Sequence, residues 1–173
     1  MAQINDAETV DDQLTWLTAR WDETLAERQD VPEDWVGHCG RAGSIWRDAV
    51  VSRAVRGQIT LIHGDTNAGN VFLPRHEDGS VRLLDWETYK RGIGVFDVMC
   101  LLMSLNDPDR RRSLEQPMLE RYLARLTEMG VADYGWDELT RDVHLAIRAN
   151  VFPPMLWERI HIGEGAWGRG TLA

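Results

Sequence analysis

The sequence predicts an α+β protein that is mostly helical, on three observations. Apolar residues recur at spacings of three and four over much of the chain, β-type runs are confined to a short central stretch, and a nearly unbroken apolar run, residues 95–105, follows them. With 173 residues the chain is long enough for one well-buried domain and short for two.

Residues 8–27 read as an amphipathic helix, with Val10, Leu14, Leu17, Trp21 and Leu25 on one face. Pro32, Gly37, Gly40 and Gly43 then mark a connection. Residues 37–43 are glycine-dense, but the spacing is not G-x-G-x-x-G and no strand precedes them, so a loop between helices is expected there. Ser44 caps a second helix over 44–56, which Gly57 ends. Residues 59–62 form a short β run leading into His63. Residues 71–74 and 81–84 are two more, and Asp78-Gly79 between them is a turn signal, so a hairpin is predicted. After Gly92 and Gly94 the run 95–105 is apolar enough for a buried helix. Asp107 before Pro108 starts another, interrupted near Pro117 and stopped by Gly130. Two further helices fit 136–150 and 154–162, and the glycine-bearing tail 163–173 reads as loose. Trp16, Trp21, Trp46 and Trp157 fall in helical patterns as core candidates.

Net charge is −9, with 11 acids and 6 bases in residues 1–58 and 17 acids and 13 bases in 59–173. Neither part offers a basic face, which argues against nucleic acid as a partner. No apolar run approaches membrane-spanning length, and the first residues lack the pattern of a secretion signal. Cys39 and Cys100 match no C-x-x-C spacing and read as two buried thiols in a reducing cytoplasm, so a cytoplasmic location is expected.

The chemistry concentrates in His63-Gly64-Asp65-Thr66-Asn67-Ala68-Gly69-Asn70, an H-x-D-x-x-x-x-N string, and in Leu84-Asp85-Trp86-Glu87 beyond the hairpin. One carboxylate to face a hydroxyl and two oxygen ligands for a metal are the minimal equipment for kinase-type phosphoryl transfer. The register Pro74 opposite Val81, Phe72 opposite Leu83 and Val71 opposite Leu84 would set Asn70 opposite Asp85. Opposed residues share a face with Cβ atoms roughly 4.5–5.5 Å apart, so the amide and the carboxylate could converge on one Mg²⁺. A one-residue slip would defeat that argument. Asp65, five residues before Asn70, would orient the attacking hydroxyl and take its proton late in a loose transition state. His63, between a strand and a tight turn, suits a hydrogen-bonding brace. Asp97 lies where a helix's first turn begins, and capping explains it. Asn67 reads as a turn residue. Glu87 is either a solvated acid or an outer neighbour of the metal.

These residues, with Gly94-Val95-Phe96-Asp97, resemble the aminoglycoside phosphotransferase and choline kinase group of small-molecule kinases. Tyr122-Leu123-Ala124-Arg125-Leu126 and Gly130-Val131 are similar to its ecdysteroid-kinase-like branch. The resemblance runs from about residue 59 to residue 160. It implies the C-terminal lobe of a protein-kinase-like fold, with Asp65 as catalytic base, Asn70 and Asp85 as Mg²⁺ ligands, His63 and Asp97 as supports of the catalytic loop, and ATP or GTP as donor. The group often carries His where Asn67 stands. Its members also have an N-terminal lobe whose strand lysine grips the nucleotide. The one lysine here, Lys90, follows Asp85, and no alternating strands precede residue 58, so the N-terminal lobe is expected to be absent.

The expected organisation is therefore one domain: a helical lead-in (1–58), a catalytic loop and metal-binding hairpin (59–97), a helical subdomain (98–162) and a tail (163–173). The first functional expectation is an ATP-dependent phosphotransferase acting on a hydroxyl of a small molecule, impaired as an isolated chain. The second is a non-catalytic kinase-like lobe that binds a metabolite, an N-lobe partner or a second copy of itself. A two-metal phosphoesterase would need more His and Asp ligands at strand ends than the five histidines here supply.

Overall fold

The computed structural model describes residues 11, 12, 15, 18, 19, 22, 23 and 26, then 33–76 and 79–163, with 33–40, 42, 43, 46 and 151–163 described in backbone alone. The described residues between 11 and 26 are helical. The apolar positions of that predicted helix, the side chains of Trp16, Trp21, Trp46 and Trp157, and the tail beyond Gly163 lie outside the described residues. Among the described residues, Arg47 ties this region to the next helix, its Nη2 donating to Asp11 Oδ2 at 2.9 Å and its Nε to Asp11 Oδ1.

Helix α1 spans Glu33–Val55, so the loop expected at 37–43 is helical instead. Each helical glycine costs about 1 kcal/mol relative to alanine, which tertiary packing can override. The packing is visible at the helix's far end, where Val50 is fully buried and Arg53 Nη2 meets Asp142 Oδ1 at 2.9 Å. Ser44 does not cap anything; its hydroxyl donates to the Arg41 carbonyl within the helix. Gly57, at φ 70°, closes α1 with paired bonds from the Gly57 and Gln58 N–H groups to the Ala54 and Arg53 carbonyls.

Strand β1 (Thr60–Ile62) pairs antiparallel with β4 (Lys90–Gly92), placing Ile62 opposite Lys90. Between them β2 (Val71–Phe72) and β3 (Arg82–Leu83) form a separate antiparallel ribbon. The predicted hairpin is present, with strands shorter than the 71–74 and 81–84 expected. Its register differs as well: Val71 opposes Leu83 and Phe72 opposes Arg82, one residue from the predicted pairing.

Three helices complete the described chain. Helix α2 (Val95–Met103) is the predicted apolar one and buries Val95, Phe96, Met99 and Leu102. It lies against α3 (Pro108–Glu128) and α4 (Trp136–Gly163), and α4 also packs on α1. The core gathers Val50 of α1, Ile62 of β1, Leu119 of α3 and Leu139 and Ala146 of α4 around that apolar face. Asp107 caps α3 by accepting from the Asp109 and Arg110 N–H groups, with Pro108 in the first turn.

The expected breaks at Pro117 and near residue 152 are not seen. Helix α3 continues through Pro117, and α4 through Pro153 and Pro154. A proline removes one N–H and crowds the carbonyl four residues earlier. For Pro117 that carbonyl belongs to Ser113, and both residues face solvent, while Leu114, Met118 and Leu119 hold the other face on the core. Among the described residues, no helix is long and apolar enough to cross a membrane.

Candidate active site

Strand β1 delivers His63 into a loop that packs against the start of α2. The Asp97 carboxylate accepts the His63 N–H at 2.7 Å and the Gly64 N–H at 3.0 Å. From the first turn of α2, where it was expected, Asp97 thus reaches across more than thirty residues of sequence. Charge-assisted bonds of this kind are the stronger class. Two hydroxyls add to the hold: Thr66 Oγ1 donates to the Asp97 carbonyl at 2.6 Å, and Thr88 Oγ1 donates to the His63 carbonyl at 3.1 Å. Gly64 stands at φ 86°, and a Cβ there would sit 2.5 Å from the Thr88 carbonyl oxygen. Only glycine fits both the dihedral and the gap.

His63 is 1% exposed. Its Nε2 lies 2.8 Å from the Leu84 carbonyl, and its Nδ1 faces the Asp65 N–H at 3.3 Å. A carbonyl can only accept and an N–H can only donate, so the tautomer carrying hydrogen on Nε2 satisfies both. The imidazole thus spans β1, the loop and the end of β3, and both ring nitrogens are engaged by main chain. Trp86 covers the ring, with centroids 4.6 Å apart.

Beyond His63 the polar side chains turn to one another. Asp65 Oδ1 accepts from Asn67 Nδ2 at 2.8 Å, and Asp65 Oδ2 accepts from Asn70 Nδ2 at 3.0 Å. Asn70 Nδ2 also donates to the Asp65 carbonyl at 2.9 Å. Both hydrogens of the Asn70 amide are therefore committed, and its Oδ1 is left as an open oxygen ligand. Residues 68–70 form a 3-10 turn that Asn67 caps by accepting the Gly69 N–H. Ser104 at the end of α2 anchors that turn by accepting the Ala68 N–H at 2.9 Å.

Asp85 is reached differently from the sequence argument. With the slipped register Asn70 faces Leu84, whose N–H donates to the Asn70 carbonyl at 2.9 Å, so direct opposition of Asn70 and Asp85 fails. The strand rule does not govern Asp85, which leaves β3 in a left-handed conformation (φ 60°, ψ 66°). It is the one non-glycine residue with positive φ among the described residues. Aspartate tolerates that region better than most, at a cost of about 1–2 kcal/mol, and such strain collects at functional sites. Its carboxylate is exposed and meets no donor or cation among the described residues. Glu87, in the 3-10 turn Trp86–Thr88, is exposed too.

Sequence reasoning missed Thr66, Thr88, Ser104 and Trp86 as parts of this site. Single hydroxyls carry no spacing signal; Trp86, adjoining Asp85, was the one visible hint. It also missed β4, whose Lys90-Arg91-Gly92 has no apolar alternation. Lys90 Nζ rests 5.6 Å from the centroid of the Phe96 ring, and burial pushes its ammonium below the ordinary lysine range.

The loop thus presents the Asp65 carboxylate, held at both oxygens, beside the Asn70 amide. The sequence profile of the phosphotransferase enzyme family (APH) matches residues 1–139, and the chain is a member of that family. The match takes in the lead-in upstream of residue 59 and ends before residue 160, where the resemblance was expected to stop. No curated protein and no solved structure matches the chain.

Proposed function

We propose that the protein is an ATP-dependent small-molecule kinase that transfers a phosphoryl group to a substrate hydroxyl, built on the C-terminal lobe of a protein-kinase-like fold. The observation that carries this reading is the Asp65 carboxylate held at both oxygens by amides of its own loop. An acceptor hydroxyl beside Asp65 would be oriented for in-line attack and would lose its proton to the carboxylate as the bond forms. Asn70 Oδ1 and the Asp85 carboxylate are the oxygens that would hold Mg²⁺. They fit it by chemistry: both are hard ligands, and Mg²⁺ is held by one or two protein oxygens with phosphate and water completing the shell. Among the described residues no group of three or more His, Cys, Asp or Glu side chains could cage a metal ion, which suits a cation shared with a nucleotide. When bound, Mg²⁺ would neutralise charge on the phosphates. ATP is the expected donor, with GTP as the alternative, and the acceptor is a small molecule bearing a hydroxyl.

A second reading, a non-catalytic lobe that docks an N-lobe partner or a second copy, is favoured by one observation. Leu61, Phe72, Leu73, Val81 and Leu84 are exposed on and beside the two ribbons. The single lysine supports it, since Lys90 follows the metal-binding segment and is not an upstream phosphate clamp.

Replacing Asp65 with Asn separates the readings. The phosphotransferase account expects Mg²⁺-dependent ATP turnover to fall by about a thousandfold, within the range for loss of a general base, while the melting temperature holds. Retained turnover would remove Asp65 from the mechanism.

A further inference from the structure

We propose that Asn67 is a positioning residue that locks the Asp65 carboxylate to Asn70; its catalytic consequence rests on the phosphoryl-transfer reading. Three bonds place it between the two. Asn67 Nδ2 donates to Asp65 Oδ1 at 2.8 Å. Asn67 Oδ1 accepts the Gly69 N–H at 2.9 Å, capping the short turn that carries Asn70. The Asn67 carbonyl accepts the Asn70 N–H at 3.0 Å.

The orientation of the Asn67 amide is fixed by its partners. A carboxylate can only accept and an N–H can only donate, so oxygen and nitrogen cannot be exchanged. A carboxylate rotates in a broad, roughly two-fold well when left alone. Asn70 restrains one oxygen of Asp65, and Asn67 restrains the other. With both held, the carboxylate plane is set relative to the Asn70 oxygen that would face the cation. A turn residue would need only the cap to Gly69. The second bond, spent on the carboxylate, is what distinguishes positioning from turn formation.

Two variants separate those roles. Asn67→Asp keeps the shape and the acceptor for Gly69, but removes the donor and sets a second carboxylate beside Asp65. Asn67→Leu removes both functions. The readouts are thermal melting, kcat and KM for Mg·ATP turnover, and the side-chain amide resonances of Asn70 in ¹⁵N-labelled protein. Positioning predicts that Asn67→Asp melts near the parent while the Asn70 resonances move, because Asp65 turns out of its bond. It also predicts a kcat lower by about 100-fold with KM little changed, the signature of a misplaced group rather than lost binding. Asn67→Leu should show the same kinetic loss and a lower melting temperature. Unmoved Asn70 resonances and parental kcat in Asn67→Asp would overturn the proposal and leave Asn67 as a cap alone. If the parent protein shows no Mg·ATP turnover, the phosphoryl-transfer reading fails, and the Asn70 resonances alone decide whether Asn67 positions Asp65.

Discussion

The loop of residues 63–70, proposed above as catalytic, and the segment that follows it, residues 71–89, are neighbours in sequence and opposites in construction. In the loop nearly every polar group has a partner inside the chain: Asp97 holds its backbone, His63 bridges to Leu84, and two asparagines hold Asp65. In the following segment Phe72, Leu73, Val81, Leu84 and Trp86 are exposed, the ribbon is two residues deep on each side, and Asp85 is strained and unpaired among the described residues. On the proposed reading the first half would face the acceptor, and the second, toward metal and nucleotide, would be completed by what binds there.

If that contrast is real, damage to the loop's supports should be costly. Asp97→Ala removes the acceptor for two backbone N–H groups, and bonds to a charged group contribute about 1.5–3 kcal/mol each. Urea denaturation should show a loss of about 3 kcal/mol or more. A loss below about 1 kcal/mol would mean the loop holds its shape without Asp97.

A pH titration sharpens the comparison from behind the loop. Burial pushes the Cys100 thiol up to about 11, partly offset by a hydrogen bond to Thr66. Burial likewise pushes Tyr122 up to about 12. Raised values mean that the folded state holds these protons longer than the unfolded state does. Their contribution to stability is complete below the ordinary thiol value near 9 and is lost as pH climbs through 9 to 11 and beyond. Unfolding free energy measured across that window should fall, and Cys100→Ala should flatten the fall. Equal profiles in the parent and in Cys100→Ala would place Cys100 in water.

The smallest effect belongs to the ribbon. Phe72→Thr, at a residue 63% exposed, should change stability by no more than about 0.5 kcal/mol. A larger loss on dilution-dependent melting would show that a partner copy covers the ribbon.

What was legible in the sequence follows the same division. The H-x-D-x-x-x-x-N string was visible because its residues lie within eight positions, and hydrogen bonds join its Asp65 to Asn67 and Asn70. The apolar helix after Gly94 was readable because burial leaves a continuous mark. The destination of Asp97 was not readable from the residues themselves, since its partners lie more than thirty positions away. The hairpin register failed for a physical reason: in two-residue strands, with Phe72 and Arg82 exposed and Val71 and Leu83 only partly buried, the sequence has too little apolar alternation to fix pairing. Gly37, Gly40 and Gly43, and later Pro117, looked like breaks because local propensity was weighed without the packing of α1 on α4 and of α3 on the core. Strand opposition did not predict where Asp85 sits, since its left-handed backbone, not strand alternation, sets its direction.

The most direct test is calorimetric titration of ATP into the protein with and without Mg²⁺, repeated on Asp85→Ala. The account predicts heat of binding that requires Mg²⁺ and disappears in the variant, whose exposed side chain meets no partner among the described residues. A melting curve is run alongside, because alanine suits the left-handed backbone less well than aspartate. ATP binding that ignores Mg²⁺ and persists in Asp85→Ala, or no binding under either condition, would contradict it.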